Sequence, residues 1–400
     1  MKVAIIHYWL VAMRGGEKVL EQLCRLFPQA DIFTHVVDPA VLSPTLKRHR
    51  IVTSFIDRLP GARRHYQKYL PLMPLALEHL DLRGYDLVIS SESGPAKGVV
   101  TDPDAVHVCY CHSPMRYVWN MYHDYRGGLG RLAGSALVPV AHYLRWWDTV
   151  TAARVDSFAA NSGNVARRIR RYYGRGSEVV FPPVEVDDFT PTRDHDGFYL
   201  VAGQLVGYKR ADLAVEAFNR SGRPLVVIGA GEQLDALRRM ARPNVRVLGP
   251  QPFDSLRSHY ARCRALVFPG EEDFGIVPVE AMASGKPVLA YGRGGALETV
   301  VDGRTGLFFR EQSVDAINAA VERFEATERR FSTEEIALHA RGFHADLFRG
   351  RMAGLIARSL TAAGHDPGDL AALAAETELA AEPSLLAPPA PLPPRQRAAG

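Results

Sequence analysis

Short apolar runs alternate with helix-like segments from the start of the chain, and this alternation constrains the fold more than any other feature. The first half contains the runs VAIIHYW, ADIFTHVV, YDLVISS, AVHVCYC and SFAANS, and the second half contains FYLVAGQL, PLVVIGAG, VRVLG, ALVFPG and PVLAYG. Such runs, each followed by a helical spacer, are typical of parallel strands joined by crossover helices. The sequence therefore predicts an α/β protein with doubly wound parallel sheets.

The length of 400 residues exceeds one ordinary core and predicts two domains. Pro182 and Pro183 end a strand-like run and open an extended connector, which predicts the domain boundary and a hinge. We expect a Rossmann-like domain over residues 1–185, a second over 186–345, a C-terminal helix over 346–362 and a disordered Ala- and Pro-rich tail over 363–400. Two such domains predict a ligand-binding cleft.

Composition excludes several classes of protein. The formal charge of +4 is too small to predict nucleic-acid binding. No apolar stretch reaches the ~18 residues of a membrane span, and the N-terminus lacks the pattern of a signal peptide. The four cysteines have no metal-ligand spacing and are expected to be buried thiols. We therefore expect a cytoplasmic protein.

Basic side chains cluster in two places along the chain. The clusters consist of Arg63, Arg64, His65 and Lys68, and of Arg167, Arg168, Arg170 and Arg171. Either cluster can be a solvated helix face or a surface for anionic lipid or a pyrophosphate-linked molecule. Any membrane contact is expected to be peripheral, at the inner face of the cytoplasmic membrane.

The most informative stretch is FPGEEDFGIVPVEAMASGKPVLAYGRGG, in which an apolar strand leads through an acidic loop into a helix. Glu272 lies in the loop and Glu280 in the first helical turns. Amide groups at a helix start suit a diphosphate, and the start here predicts a contribution from Gly275, Ile276 and Val277. Carboxylates at the carboxyl end of a parallel strand can accept hydrogen bonds from sugar hydroxyls. An acidic loop that complements a helix dipole is the simpler alternative.

Two further loops supply cations and glycines. YLVAGQLVGYKRADLAVEAF places Lys209 and Arg210 at a helix entrance, where cations are unfavourable unless they meet an anion. VIGAGEQLDAL carries Gly229 and Gly231 after a strand, which is weak evidence because any tight turn can require glycine.

The first half offers candidate residues of its own. Gly15 and Gly16 would let the backbone approach a phosphate closely. His112 follows an apolar strand directly, although a lone histidine is more often structural. The candidates for binding a second substrate are Lys97 on a glycine-flanked loop, Arg116, Tyr117 and Trp119.

The stretch EDFGIVPVE from Glu272 to Glu280 resembles the E-x7-E signature of retaining GT-B glycosyltransferases of family 4. The resemblance extends from residue 1 to about residue 360. It implies that Glu272 holds the transferred sugar, Glu280 the ribose of the nucleotide and Lys209 a phosphate. It also implies that His112, which matches the His-x-Pro position of the family, helps to position the sugar.

The same resemblance implies further contacts and exposes one departure. Gly15, Gly16, Gly231, Phe274 and the helix start after it would line the donor. The family commonly has an arginine where this chain has Gln204, so Gln204 changes one phosphate contact and Arg210 is a candidate replacement.

The resemblance implies a retaining hexosyltransferase that uses no metal and no cofactor, with the donor as substrate. The acceptor attacks on the face from which the diphosphate leaves, and a phosphate oxygen takes its proton. The resemblance favours mannose from GDP-mannose as the transferred sugar. The acceptor it implies is a lipid-linked oligosaccharide, such as one carried by a polyprenyl diphosphate, or another glycan. The setting would be surface or exopolysaccharide synthesis.

Three alternatives remain on the same two-domain scaffold. They are a sugar-nucleotide epimerase, a sugar phosphorylase and a non-catalytic subunit that binds nucleotide sugars. A plain NAD-binding enzyme is disfavoured because neither glycine loop gives a full GxGxxG motif.

Overall fold

A computed structural model describes residues 1–380 and divides them into two compact units. Unit 1 comprises Met1–Pro183 and Ala345–Ala380, and unit 2 comprises Val184–His344. The chain thus passes from unit 1 to unit 2 between Pro183 and Val184. The sequence prediction put this boundary at residue 185. The last helices belong to unit 1, whereas the sequence prediction treated residues 346–362 as a separate element.

Unit 1 is built on a parallel sheet with the strand order β3-β2-β1-β4-β5-β6-β7. Its strands are β1 (Val3–His7), β2 (Asp31–Thr34), β3 (Ile51–Thr53), β4 (Leu87–Glu92), β5 (Val106–Cys111), β6 (Ser157–Ala160) and β7 (Glu178–Val179). The chain builds outwards from β1 in one direction and then from β4 in the other, so the topological switch point lies between β1 and β4. In that register His7 lies beside Ser91.

The helices of unit 1 cover the two faces of its sheet. Those that precede unit 2 in the chain are α1 (Gly15–Leu26), α2 (Ala62–His65), α3 (Met73–Glu78), α4 (Tyr122–Gly127), α5 (Arg131–Thr151) and α6 (Gly163–Tyr173). Local sequence fixes several of their ends. The Ser162 hydroxyl accepts a hydrogen bond from the Val165 amide at the start of α6, and Gly174 ends that helix in the left-handed conformation.

Unit 2 repeats the same architecture with the strand order β10-β9-β8-β11-β12-β13. Its strands are β8 (Tyr199–Ala202), β9 (Leu225–Ile228), β10 (Val245–Gly249), β11 (Ala265–Phe268), β12 (Val288–Tyr291) and β13 (Gly306–Phe309). The helices are α7 (Ala211–Ser221), α8 (Leu234–Met240), α9 (Phe253–Arg262), α10 (Ile276–Ala283), α11 (Ala296–Thr299), α12 (Val314–Thr327) and α13 (Thr333–Arg341). This is the order of a Rossmann sheet, with its switch point between β8 and β11.

The predicted α/β class with two doubly wound parallel sheets is therefore confirmed. The sequence prediction did not include β3 or β13, which are short and lie at or near a sheet edge. Over residues 1–380, no helix combines the length and apolarity that a bilayer span requires.

The prediction of a disordered tail from residue 363 is wrong over its first part. After α14 (Ala345–Ala362), the chain forms α15 (Leu370–Ala380). Leu370 is buried in the core of unit 1, and Leu373 packs against that core. The two leucines supply an apolar contact that the Ala-rich composition concealed. The remainder of the predicted tail, residues 381–400, lies outside the described residues.

Candidate functional site

Lys209 and Glu272 meet at the switch point of the unit 2 sheet. Lys209 follows β8 and Glu272 follows β11, and the Lys209 Nζ–Glu272 Oε1 distance is 2.8 Å. Both side chains are largely buried, with 17% and 18% of their surfaces exposed. The ammonium and carboxylate groups form an ion pair, but the angles at Glu272 Oε1 do not meet those of a hydrogen bond. The structure therefore brings together the two residues that the sequence singled out, 63 positions apart.

Glycines allow the loops around this ion pair to pack closely. A Cβ atom at Gly270 would lie 2.8 Å from the Cα atom of Lys209. Gly294 has a φ of +62°, and a Cβ atom there would overlap the carbonyl oxygen of Glu272. The amide of Gly295 also donates to that oxygen at 2.8 Å. Side chains at these positions would push the Lys209 and Glu272 loops away from their neighbours.

Glu280 lies in α10, beyond the acidic loop. Its side chain is 7% exposed, and the Tyr260 hydroxyl donates to Glu280 Oε2 at 2.9 Å. Burial, followed by the nearby Glu280 carboxylate, raises the pKa of Tyr260 well above its ordinary value, so the phenol remains a donor. The hydrogen bond fixes one edge of the carboxylate.

The start of α10 has the arrangement that the sequence predicts. Gly275 precedes the helix with a φ of +95°, and Ile276 and Val277 form its first turn. Amides in a first turn have no carbonyl partner within their own helix, which makes them suitable for an anion. Phe274 is 3% exposed and its ring packs edge-on against Phe343 at 5.6 Å, so its side chain is a core residue and only its backbone can reach a ligand.

Arg210 and Gly231 have local structural roles in unit 2. Arg210 has a φ of +54°, and its guanidinium pairs with Asp212 at 3.1 Å. It is therefore engaged within its own helix entrance. A Cβ atom at Gly231 would overlap the carbonyl oxygen of Leu205, so glycine lets this turn pack on the loop that carries Gln204. The predicted donor contacts of these residues stay predictions.

Unit 1 has its own polar group at the switch point between β1 and β4. His112 lies immediately after β5, and Ser91 Oγ is 2.9 Å from His112 Nε2 and 3.0 Å from His7 Nδ1. His7 and Ser91 are wholly buried. Burial lowers the pKa of His112 to about 3, so His112 is neutral at physiological pH.

The glycine loop after β1 leads directly into this group. Gly15 and Gly16 begin α1, and a Cβ atom at Gly16 would overlap the Tyr8 hydroxyl. Glu17 follows, with Oε2 accepting from the Arg14 amide at 2.9 Å and Oε1 lying 3.8 Å from His7 Nε2. Gly16 is thus required for packing at this position.

The prediction that Lys97 binds the acceptor is wrong. Its side chain is wholly buried, and Nζ contacts Glu92 Oε1 at 2.7 Å and the carboxylate of Asp148. A buried ammonium group that pairs with two carboxyl groups has no access to a substrate. The glycine-flanked loop appeared open in the sequence because Asp148 lies 51 positions away, on α5.

The other acceptor candidates are partly buried in unit 1. The Trp119 indole N–H donates to Asp148 at 2.7 Å, and its ring stacks on Tyr172 with a centroid distance of 4.4 Å. Arg116 and Tyr117 precede it on the same turn and are also partly buried. One face of the Trp119 ring is therefore occupied, and an acceptor role for these three residues stays a prediction.

Sequence reasoning missed His7, Ser91 and Glu17. His7 and Ser91 had a weak signal, since both are polar residues at or next to the carboxyl ends of apolar strands. The connection between them depends on the pairing of β1 with β4, which sequence spacing does not reveal.

Two Rossmann-like units with this strand order define the class of GT-B proteins, and the comparisons with known proteins agree. The model of "Glycosyltransferase Family 4" matches residues 13–188, and that of "Glycosyl transferases group 1" matches residues 185–337. Together they cover most of both units. The chain belongs to the family 4 glycosyltransferases with the GT-B fold.

Named relatives are similar at low identity. A GDP-mannose-dependent alpha-(1-6)-phosphatidylinositol monomannoside mannosyltransferase from Mycolicibacterium smegmatis is 28% identical over 254 residues, which are 53% of this chain and 66% of the relative. The matches to curated relatives thus span less than two thirds of their length. The family assignment therefore rests on the two family models.

Solved structures share the fold. The lipopolysaccharide outer core galactosyltransferase WaaB has a TM-score of 0.63 at 18% identity, covering 90% of this chain and 100% of its own. Anabaena HepE in complex with UDP and glucose has a TM-score of 0.64 at 15% identity, with coverages of 90% and 100%. At these identities the similarity is one of fold alone.

Proposed function

We propose that this protein is a retaining hexosyltransferase whose unit 2 holds a nucleotide-sugar donor. The observation that carries the proposal is the contact of Lys209 Nζ with Glu272 Oε1, at 2.8 Å, at the switch point of the unit 2 sheet. Open α/β sheets bind ligands at this point, outside the carboxyl ends of the strands. The cation suits the diphosphate of such a donor, and the carboxylate suits the hydroxyls of its sugar.

The roles of the donor-site residues follow from their chemistry. The Lys209 ammonium group would neutralise the diphosphate, assisted by the amides at the start of α10. The Glu272 carboxylate would accept hydrogen bonds from hydroxyls of the transferred sugar, and Glu280 would accept from those of the ribose. Because Tyr260 occupies one edge of Glu280, the ribose would meet the other edge.

Departure of the nucleoside diphosphate places growing negative charge on its terminal phosphate. A fixed ammonium group and helix-start amides stabilise that charge without a divalent ion. We propose that the acceptor hydroxyl attacks the anomeric carbon on the same face, and that a departing phosphate oxygen receives its proton. The C–O bond to the diphosphate breaks while the new glycosidic bond forms on the same face of the sugar, so the configuration is retained.

We propose mannose from GDP-mannose as the transferred hexose and a lipid-linked glycan as the acceptor. The similarity to a GDP-mannose-dependent mannosyltransferase that acts on a phosphatidylinositol monomannoside supports this choice. The fold alone is compatible with another base, since a structural neighbour binds UDP and glucose.

The test measures transfer from GDP-mannose and UDP-glucose to lipid-linked acceptors by the purified full chain, with and without a chelator. We expect transfer from GDP-mannose, a product whose anomeric configuration matches that of the donor, and activity in the chelator. Lys209→Ala and Glu272→Gln should each lower kcat by about 10²-fold or more. Glu271→Gln, which removes a neighbouring carboxylate outside the ion pair, is the matched control.

Near-normal turnover in both site variants would exclude the proposed site. Sugar-nucleotide conversion without an acceptor would indicate an epimerase instead. A full chain that binds no nucleoside diphosphate in calorimetric titration would indicate a partner subunit.

We also propose that helix α5 makes a peripheral contact with an anionic membrane. Its exposed apolar side chains include Leu132 (90% exposed), Trp146 (61%), Val150 (47%), Val138 (43%) and Tyr143 (40%). The only acidic residue of α5 is Asp148, which is buried. Leu72, which precedes α3, and Leu75, which lies within it, are also exposed. An apolar, acid-free face with an interfacial Trp suits the headgroup region of a bilayer.

Co-sedimentation with phosphatidylglycerol vesicles tests the membrane proposal. Leu132→Glu with Trp146→Glu should reduce the bound fraction several-fold, because both side chains would carry charge into the interface. Met240→Glu, which replaces an exposed apolar residue of unit 2, is the control. Equal binding of all three proteins, or no binding by the wild type, would exclude a role for α5.

A further inference from the structure

We infer that Glu17, His7 and Ser91 fix the tautomer of His112, with the proton on Nε2 and a lone pair on Nδ1. The three residues would act as positioning residues, through His112. Use of the Nδ1 lone pair by a sugar hydroxyl rests on the function proposed above, whereas the tautomer itself does not.

The first step of the argument is the position of Ser91. Its Oγ lies 3.0 Å from His7 Nδ1 and 2.9 Å from His112 Nε2. A hydroxyl has one proton, so it donates to one ring and accepts from the other. The tautomers of the two histidines are therefore linked. If His7 Nδ1 accepts from Ser91, then His112 Nε2 carries a proton and donates to Ser91, and the reverse also holds.

The second step is the direction of the hydrogen bonds. His7 Nε2 lies 3.8 Å from Glu17 Oε1 and makes no hydrogen bond within residues 1–380. The carboxylate is held in place because its other oxygen accepts from the Arg14 amide at 2.9 Å. Both side chains are buried, at 0% and 3% exposure, so water and salt screen their interaction little.

A carboxylate attracts an N–H group and repels a nitrogen lone pair. Glu17 therefore favours the proton of His7 on Nε2, which leaves a lone pair on Nδ1. Ser91 then donates to His7 Nδ1 and accepts from His112 Nε2–H. The chain of groups ends with a lone pair on His112 Nδ1, which can accept a hydrogen bond but cannot donate one.

The third step concerns the charge of His112. Burial lowers the pKa of His112 to about 3. The ring is thus neutral near pH 7 and carries a single proton, so the position of that proton decides what the ring offers to a ligand. The reversed tautomer would present an N–H group at Nδ1.

The experiment is nitrogen NMR of the full chain with labelled histidine at pH 7, without any nucleotide. The His112 signals are assigned as those lost in His112→Asn. We expect Nε2–H in the wild type. In Ser91→Ala the bridging hydroxyl is gone, and we expect a mixture of tautomers. The matched control is Ser90→Ala, because Ser90 is equally buried on β4 and bonds instead to His107 Nε2 at 2.9 Å.

A second variant tests the direction separately. Glu17→Gln keeps the size of the side chain but can present an amide N–H to His7 Nε2, so we expect His112 to shift towards Nδ1–H. Glu21→Gln, one turn further along α1, should leave the His112 signals unchanged. Where transfer is measured, Ser91→Ala and Glu17→Gln should lower kcat by about 10- to 100-fold, the cost of a misaligned contact at the reacting group.

The outcomes separate this inference from the proposed function. An Nδ1–H tautomer in the wild type, or His112 signals that are unchanged in both Ser91→Ala and Glu17→Gln, overturns the inference whatever the enzyme transfers. If the tautomers behave as expected and no sugar nucleotide yields product, the inference stands and the proposed function fails.

Discussion

At the scale of single residues, two carboxylates share one buried ammonium group in unit 1. Lys97 Nζ contacts both Glu92 and Asp148, and all three side chains are wholly buried. Tyr173 adds a hydroxyl that donates to Asp148 at 2.9 Å. With every group charged, the cluster would carry a net negative charge in an environment where charge is costly. One carboxyl group is therefore expected to retain its proton.

The retained proton makes a testable prediction about stability and pH. Burial, partly offset by Lys97, raises the pKa of Glu92 from 4.5 to about 7. Between pH 4.5 and 7 the folded chain holds a proton that the unfolded chain has lost, so stability should fall as pH rises through this window. The contribution is at most about 3–4 kcal/mol, at about 1.4 kcal/mol for each unit of pKa.

Denaturant unfolding at pH 5 and pH 8 would measure this effect, in the wild type and in Glu92→Gln. The variant has no proton to lose, so its unfolding free energy should fall less between the two pH values. The absolute stability of the variant is expected to be lower, because the amide nitrogen faces the donors of Lys97. Equal pH dependence in the two proteins would contradict the prediction.

Sequence patterns located groups carried by one strand–loop–helix segment, whereas most contacts between distant segments became visible only in the fold. The spacing of Glu272 and Glu280 predicted a donor site because one strand, one loop and one helix carry both residues, and that role stays a prediction. The link from His7 to Ser91 joins positions 84 apart and exists only through the pairing of β1 with β4. Lys97 was misassigned for the same reason, since its partner Asp148 lies on a distant helix.

At the scale of elements, α14 and α15 pack through small residues. A Cβ atom at Gly350 would overlap the side chain of Thr377, and one at Gly354 would lie 3.3 Å from Ala374 Cβ. The close approach lets Leu370 and Leu373 reach the core of unit 1. Alternating apolar runs predicted the strands, but an Ala-rich helix with two core leucines has too weak a pattern to be distinguished from a tail.

Gly350→Val should separate α15 from α14. The added methyl groups would meet Thr377 in a closely packed contact, at a cost of about 1–3 kcal/mol. Hydrogen exchange measures the outcome, and we expect the amides of residues 370–380 to exchange faster while those of β4 stay protected. Arg351→Val, at the next and exposed position of α14, controls for helix propensity. Unchanged protection of residues 370–380 in Gly350→Val would mean that the contact does not hold α15.

At the scale of the whole molecule, within residues 1–380, unit 1 is discontinuous in sequence and unit 2 is continuous. The core of unit 1 contains Val3, Ile5 and Leu20 from the start of the chain together with residues of α14. Unit 2 contains within residues 184–344 every strand of its sheet and all of Lys209, Glu272 and Glu280. The two units should therefore differ in their ability to fold when separated.

A fragment of residues 184–344 should fold alone, whereas a fragment of residues 1–183 should not. The latter lacks the buried side chains of Phe348, Met352, Ile356 and Leu360. At about 1.5–3 kcal/mol for each, their loss removes roughly 6–12 kcal/mol, which is comparable to the whole stability of a domain. Thermal unfolding followed by circular dichroism should show a cooperative transition for 184–344 only. Calorimetry should detect nucleoside diphosphate binding to the 184–344 fragment, and Lys209→Ala should weaken that binding. Cooperative unfolding of the 1–183 fragment would instead show that α14 is dispensable for the core of unit 1.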